Sequence, residues 1–205
     1  MKNPIGSFIP KPYPQGSILQ YFGANPQFYW GEGGHPGLDL WGGRGYGEPL
    51  LAVVDGTLSY ALDTIHGFQA LITGDATGGK VQNFLYGHLT EERPQANGAR
   101  VSAGSVIGFM GNSGYVVSGG SPFWNGANPD PNKGGTHLHL GLIEYDAQTM
   151  LPLKPPGSTK SGYINWLPLL GTDMLYVIDD KVNQWRTDEE LKVAYSIADE
   201  DELKV

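Results

Sequence analysis

Short apolar runs alternate with glycine-rich turns from about residue 48 to residue 145, and this alternation restricts the folds open to the chain. The runs FQALITGD and VQNFLYGHL flank the turn sequence GDATGGK and are typical of an antiparallel hairpin. The 205 residues include 31 glycines and 15 prolines without a collagen period, which favours many turns between short strands. The pattern predicts a mainly β protein with an antiparallel sheet or sandwich.

Composition excludes several classes of function. The chain has 13 Lys and Arg against 21 Asp and Glu, a net charge of −8, and it shows no basic stripe of the kind that binds nucleic acid. We therefore expect no nucleic-acid partner. The longest apolar stretch, PLLAVV at 49–54, is far too short to span a bilayer, so no membrane insertion is expected. Because cysteine is absent, any metal site must use His, Asp or Glu.

The chain divides into a main body and a C-terminal appendage. Residues 1–170 are expected to form one domain with an irregular N-terminal lead-in, and residues 171–205 an appendage of unassigned role. Within the appendage, LYVIDDKVNQWRT predicts a short hairpin, and the capping-box pair Thr187 and Glu190 predicts a helix after it. Residues 115–135 are expected to form a long polar and aromatic loop, either a disordered excursion or a groove wall.

Two of the five histidines occupy alternate positions of the segment GGTHLHLGL at 134–142. Successive side chains of a strand point to opposite faces, so His137 and His139 share one face and the intervening leucines share the other. The leucines are expected to point into the core. The histidines are then either hydrogen-bonded, partly buried side chains or ligands of a metal ion, and strand geometry does not say which of the two would bind it.

A second histidine motif, HPGLD, places His35 four residues before Asp39. Pro36 and Gly37 between them argue against a helix and predict a loop that runs into a strand. A His and an Asp from one loop, together with a His from a distant strand, would supply the three protein ligands of a catalytic zinc site. His66 matches no motif and is expected to be an ordinary loop or strand histidine.

Four motifs in this order resemble the LytM/lysostaphin-type zinc endopeptidases: HPGLD, YGHL at 86–89, GNSG at 111–114 and GTHLHLG at 135–141. The segment at 20–40 resembles versions of this domain in phage-borne wall hydrolases, and the whole resemblance covers roughly residues 18–168. It implies a mainly β, compact antiparallel β-sheet domain of the duplicated-hybrid-motif type with a narrow substrate groove. It also implies one Zn²⁺ per chain and hydrolysis of peptide bonds in bacterial peptidoglycan, in the stem or the cross-bridge.

The same resemblance assigns the site residues. It makes His35, Asp39 and His139 the zinc ligands, and His88 and His137 the catalytic residues. His137 is expected to accept a proton from the attacking water and His88 to donate a hydrogen bond to the oxyanion, although these two roles could be exchanged. The segment between GNSG and THLHLG is longer than is usual in the family. A catalytically silent wall-binding or phage tail structural module of the same fold is the alternative.

The expected location follows from the substrate. The N-terminal segment lacks the apolar region of a signal peptide, whereas peptidoglycan lies outside the cytoplasm. A phage product, an endolysin released at lysis or a protein carried in the virion, would reconcile these two facts. Its partners would then be bacterial peptidoglycan and other virion tail proteins.

Overall fold

The computed structural model describes residues 1–5, 18–29, 31–118, 121–169, 174–179 and 182–187. Within these ranges the regular structure is almost entirely β. The strands are β1 (Ile18–Gln20), β2 (Leu38–Leu40), β3 (Pro49–Leu51), β4 (Gly56–Asp63), β5 (Gly67–Gly74), β6 (Lys80–Leu89), β7 (Arg100–Val101), β8 (Val106–Phe109), β9 (Gly114–Ser118), β10 (Ser121–Gly126), β11 (Leu138–Asp146), β12 (Met174–Asp179) and β13 (Val182–Thr187). One 3-10 turn spans Leu167–Leu169. No helix in the described part of the chain is long and apolar enough to cross a membrane.

A seven-stranded sheet forms the body, in the order β1-β2-β11-β6-β5-β4-β7. Every neighbouring pair in it is antiparallel, which confirms the predicted mainly β, antiparallel fold. The predicted hairpin is present as β5 and β6. Three further antiparallel pairs, β3 with β8, β9 with β10 and β12 with β13, lie outside this sheet.

The core lies between the large sheet and the β3–β8 pair. Leu138, Leu140 and Leu142 of β11 are fully buried in it, as the alternation in THLHLGL predicts. Each such leucine contributes about 1.5–3 kcal/mol by leaving water. The buried hydroxyl of Tyr86 accepts a hydrogen bond from the Val53 N–H and donates one to the Leu51 carbonyl, so it costs no unpaired polar group.

Residues 115–135 are not a structureless loop, and that prediction is wrong over its first half. β9 and β10 form a hairpin in which Tyr115 lies opposite Trp124 and their rings pack edge to face, 4.8 Å apart. Val116, on the other face, is buried. Aromatic and β-branched residues facing each other across two strands stabilise such a ribbon, and this outweighs the polar composition of the segment.

The C-terminal appendage is described only in part. Its predicted hairpin is present as β12 and β13, which pair over six residues each. The helix predicted to follow Thr187 lies outside the described residues. The proposed boundary at residue 170 therefore stays a prediction.

Candidate metal centre

Three neighbouring strands, β2, β11 and β6, bring the candidate ligands together. In the sheet register His139 lies opposite Asp39 on one side and opposite Gly87 on the other. Residues directly opposite each other in an antiparallel pair project from the same face, so the imidazole and the carboxylate meet. His35 precedes β2 in a loop, as HPGLD predicts.

Three ligand atoms converge on one point. His35 Nε2 lies 3.1 Å from Asp39 Oδ1, His139 Nδ1 lies 3.0 Å from the same oxygen, and the two nitrogens are 3.1 Å apart. Tetrahedral zinc with ligands at about 2.0–2.1 Å would hold such atoms roughly 3.3 Å apart. All three residues are buried, and within the described residues they form the group able to hold a metal ion.

The position of the ring proton on His35 favours a cation between the three ligand atoms. His35 Nδ1 lies 3.3 Å from the Tyr21 carbonyl, which can only accept, so Nδ1 carries the proton. The Nε2 of a neutral His35 then directs a lone pair at the Asp39 carboxylate. Two lone pairs at 3.1 Å repel each other, whereas a metal ion between them would bind both. The donor set therefore fits zinc.

Charge at the centre also points to a cation site. Burial alone would raise the pKa of Asp39, but the surrounding His137 and His139 outweigh it and hold that pKa well below its usual value. Burial lowers the pKa of His139 to about 4, against the opposing effect of Asp39. At neutral pH the site thus presents an ionised carboxylate and a neutral His139, the protonation states that metal binding requires.

Gly37 is the residue of HPGLD that lets the loop approach β11. A Cβ at this position would lie 2.6 Å from the Leu140 carbonyl oxygen and 2.8–2.9 Å from ring atoms of His139. No side chain fits at these distances. The glycine therefore allows the His35 loop to pack directly on the ring of the other candidate histidine ligand.

His88 reaches the centre through an irregularity in β6. Between Leu89 and Tyr86 this strand has one residue more than its partner β5, the signature of a β-bulge. His88 has a φ of +63°, in the left-handed region that non-glycine residues rarely adopt. Its N–H donates to the His66 carbonyl at 2.6 Å. The bulge thus turns a side chain of the sheet toward the metal centre, as bulges near active sites often do.

His88 and His137 present the same ring nitrogen to the centre. His88 Nδ1 donates to the Ser113 carbonyl at 2.8 Å, and His137 Nδ1 donates to the Gly135 carbonyl at 2.7 Å. Each neutral ring therefore carries its lone pair on Nε2. Nε2 of His137 lies 3.6 Å from Asp39 Oδ1. The ring centroids of His88 and His137 are 4.5 Å apart.

Burial keeps His88 neutral. It lowers the pKa of this imidazole well below its ordinary value, and the nearby His137 and His139 add to the effect. A neutral His88 with its proton on Nδ1 has no hydrogen to offer at Nε2. At neutral pH it can accept a hydrogen bond at the centre, and it can donate one there only after it has taken up a proton.

Sequence reasoning missed the role of Ser113, although it lies in the quoted motif GNSG. Its hydroxyl donates to the Leu89 carbonyl at 2.7 Å and accepts from the Phe68 N–H at 2.9 Å. Its own carbonyl holds the His88 ring. Ser113 thus connects β5, β6 and the candidate catalytic residue His88. Its place in the motif GNSG was the sequence signal that could have revealed this role.

The position of His66 beside the centre was not predicted. His66 lies in the turn between β4 and β5, as expected of a loop histidine, but its ring centroid is 5.3 Å from that of His139 and 6.2 Å from that of His88. No motif marks it in the sequence. The structure therefore brings all five histidines of the chain to one region, four of them within the expected set.

Such a centre is typical of hydrolytic metalloenzymes, in which three protein ligands leave one position for water and nearby imidazoles transfer protons. Residues 33–151, more than half of the chain, match Peptidase family M23. The chain therefore belongs to this family of zinc-dependent metallopeptidases, as its LytM-type motifs imply.

Solved structures of the family are similar to the chain at low identity. A variant of the catalytic domain of the prophage-encoded M23 protein EnpA from Enterococcus faecalis is 19% identical, with 77% of this chain and 94% of that chain covered and a TM-score of 0.45. A putative glycyl-glycine endopeptidase lytM from Ruminococcus gnavus is 21% identical, with 79% and 57% covered and a TM-score of 0.46. A zinc-containing peptidase from Vibrio cholerae is 17% identical, with 81% and 40% covered and a TM-score of 0.46. The chain thus spans only about half of the latter two. No curated protein matches it.

Proposed function

We propose that this protein is a zinc-dependent endopeptidase that hydrolyses peptide bonds of bacterial peptidoglycan, in the stem or the cross-bridge. The observation that carries the proposal is the convergence of His35, Asp39 and His139 within 3.1 Å of one another, with two further imidazoles beside them. Peptidoglycan as the substrate rests on the LytM-type motifs of the chain. The proposed ligand atoms are His35 Nε2, Asp39 Oδ1 and His139 Nδ1, for one zinc ion per chain.

Zinc at this position would polarise the scissile carbonyl and acidify the attacking water. His137 is assigned as the general base because its Nε2 lies 3.6 Å from the ligand oxygen of Asp39. It takes a proton from water as the oxygen attacks the carbonyl carbon. The same imidazole then returns that proton to the leaving nitrogen as the C–N bond breaks.

His88 is assigned to orient the attacking water. Its neutral Nε2 accepts a hydrogen bond, because its only ring proton is donated to Ser113. This role differs from the oxyanion donor that the sequence resemblance implies. The buried tautomer is the physical reason for the difference, since a donor at Nε2 would require a protonated His88, and burial of this imidazole disfavours its charged form.

The proposed substrate lies outside the cytoplasm, and we propose that the protein acts there as a phage product, carried in the virion or released at lysis. Peptide bonds of the wall are the barrier that such a product must open. Immunodetection in purified virions and in the wall fraction of lysates tests this location. Absence from both fractions would refute it.

The activity is tested by the loss of turbidity of purified cell walls, with zinc quantified in the same preparations. Wild type is expected to clear walls, to stop after chelation and to recover when zinc is restored. His139→Ala is expected to lose zinc and activity, whereas His137→Ala is expected to keep zinc and lose activity. Asp75→Asn, a change in a surface residue that pairs with Arg100, is the control and is expected to keep both zinc and activity.

Release of new amino groups identifies the bond type, because each peptide bond that is cut frees one amine. A wild type that holds zinc yet releases no amine from walls of several hosts would refute the peptidase proposal. It would favour the silent wall-binding module instead. A wild type that cuts free peptides but no walls would refute peptidoglycan as the substrate.

A further inference from the structure

Asp63 and His66 form a second carboxylate–imidazole pair beside the metal centre, and the mechanism above does not use it. His66 Nδ1 donates to Asp63 Oδ2 at 3.0 Å, and the His66 backbone N–H donates to Oδ1 of the same carboxylate at 2.5 Å. The side-chain amide of Gln69 also donates to Oδ2, at 3.0 Å. An ionised carboxylate can only accept, so three donors from two residues fix both the carboxylate and the proton on Nδ1 of His66.

The pair lies on the face of the sheet that carries the ligands. Gly87 pairs with His139 in the register, and a Cβ at Gly87 would lie 3.2 Å from Cβ of His66 and 3.4 Å from Cβ of His139. His66 therefore occupies the space above Gly87 that a side chain would otherwise take. The missing side chain lets the turn between β4 and β5 place an imidazole directly beside a proposed ligand.

His66 is more exposed to solvent than the proposed ligands, of which Asp39 keeps 12% and His35 2% of the side-chain exposure. Its side chain keeps 19% of its exposure, against 5% for His139. With Nδ1 held by Asp63, Nε2 is the ring nitrogen left for a further hydrogen bond, on a ring whose centroid lies 5.3 Å from that of His139. The adjacent Ile65 carbonyl accepts a hydrogen bond from the Tyr115 N–H, so the turn is attached to the hairpin that carries the exposed rings of Tyr115 and Trp124.

We propose that His66 is a further substrate-binding residue, whose Nε2 forms a hydrogen bond with the main chain of the bound peptide on the β4–β5 side of the metal centre. Asp63 is the positioning residue that holds the ring for this contact. The proposal rests on the proposed function for the identity of the substrate as a peptide. His66 neither gives nor takes a proton in the reaction, so the contact acts on binding.

Three substitutions separate the contact from packing. His66→Phe keeps an aromatic ring over Gly87 but removes both nitrogens, and His66→Gln places an amide group close to the position of Nε2. Asp63→Asn keeps the shape of the positioning residue and removes its charge. Asp75→Asn is the control, because it removes a carboxylate at the far end of β5, roughly 25 Å along the strand.

Each variant is measured for zinc content, melting temperature and both kcat and KM on a soluble stem peptide that includes the cross-bridge. The dissociation constant of the same peptide is measured by calorimetry with each change placed in a His137→Ala background, which removes turnover. His66→Phe is expected to keep the zinc content and the melting temperature of wild type. It is expected to raise KM and the dissociation constant about tenfold and to leave kcat within about threefold, because one hydrogen bond to the bound peptide is lost. His66→Gln is expected to restore binding to within about threefold of wild type. Asp63→Asn is expected to weaken binding by less than His66→Phe, and Asp75→Asn to leave it unchanged.

A dissociation constant unchanged in His66→Phe would overturn the proposal. Loss of zinc or of thermal stability in that variant would overturn it as well, because the ring would then serve the fold or the ligands. The two proposals fail separately. If wild type cuts no peptide, but His66→Phe weakens peptide binding and His66→Gln restores it, the proposed activity is refuted and the proposed His66 contact is supported. If wild type cuts the peptide and His66→Phe binds it as tightly as wild type does, the proposed contact is refuted and the proposed activity is supported.

Discussion

The metal-free protein should lose stability as the pH falls from 7 to 4, because its buried histidines resist protonation. Burial lowers the pKa of His139 to about 4 in the folded state, whereas an unfolded histidine titrates near 6.5. Between these two values the unfolded chain binds a proton that the folded chain does not. The free energy of unfolding therefore falls with falling pH in this window and is unaffected by this group above it.

The magnitude follows from the difference between the two pKa values. At about 1.4 kcal/mol per pKa unit, a difference of about 2.5 units removes roughly 3 kcal/mol from His139 alone by pH 4. His88 acts in the same direction, since burial also lowers its pKa well below the ordinary value. Asp39, whose pKa is lowered as well, takes effect only below about pH 4, where its carboxylate begins to bind protons in the unfolded chain. A loss of this size is a large part of the 5–15 kcal/mol typical of a domain.

Urea unfolding of the chelated protein at half-unit steps from pH 7.5 to 4 measures this loss. His139→Gln removes the titrating group and is expected to flatten the slope by about 1 kcal/mol per pH unit between pH 6 and pH 4.5. Its absolute stability does not matter, since the slope is the readout. A wild-type slope that is flat over this window, or equal to that of His139→Gln, would refute the reasoning.

Two further predictions concern residues that support the centre. Gly37→Ala should lower the melting temperature and the zinc content together, because its Cβ would lie within 3 Å of a carbonyl oxygen and of the His139 ring. Gly43→Ala is the control and should change neither quantity, because a Cβ at Gly43 would meet nothing within 4 Å. A Gly37→Ala protein with full zinc content would contradict the packing argument. Ser113→Ala should cost about 1–3 kcal/mol of stability by removing a hydrogen-bond partner of the Phe68 N–H and of the Leu89 carbonyl. It should also reduce wall clearing with zinc retained. Ser102→Ala, at an exposed serine, is the control. Equal unfolding midpoints in urea for Ser113→Ala and Ser102→Ala would contradict the predicted loss of stability.

Local sequence signals were sufficient for the strands that carry the ligands. The leucines around His139 alternate with period two, and burial on one face of a sheet enforces that period. Pro36 and Gly37 excluded a helix at HPGLD, leaving a loop that enters β2. The choice of His139 over His137 as the proposed ligand could not come from the alternation, because both side chains reach the same oxygen of Asp39.

Other parts of the site depend on contacts between distant segments and could not be read locally. The left-handed backbone of His88 arises from a bulge, which exists only once β6 is paired with β5. The place of His66 depends on Gly87, which is 21 positions further along the chain, and on the register of a third strand. The hairpin of β9 and β10 was missed because its polar residues were weighed above the Tyr115–Trp124 pair, whose partners are separated by a turn.

The register of β2 against β11 is shared by the core and the site. Leu38 and Leu40 are fully buried and flank Asp39, which faces His139. A slip of one residue would turn both leucines to the ligand face and the carboxylate into the core. Exposing two leucines alone costs roughly 3–6 kcal/mol, and burying an unpaired carboxylate costs more. The hydrophobic contacts that stabilise the sheet therefore also hold the ligand atoms at 3 Å, so a metal-free protein should keep the site assembled at neutral pH and bind zinc without refolding.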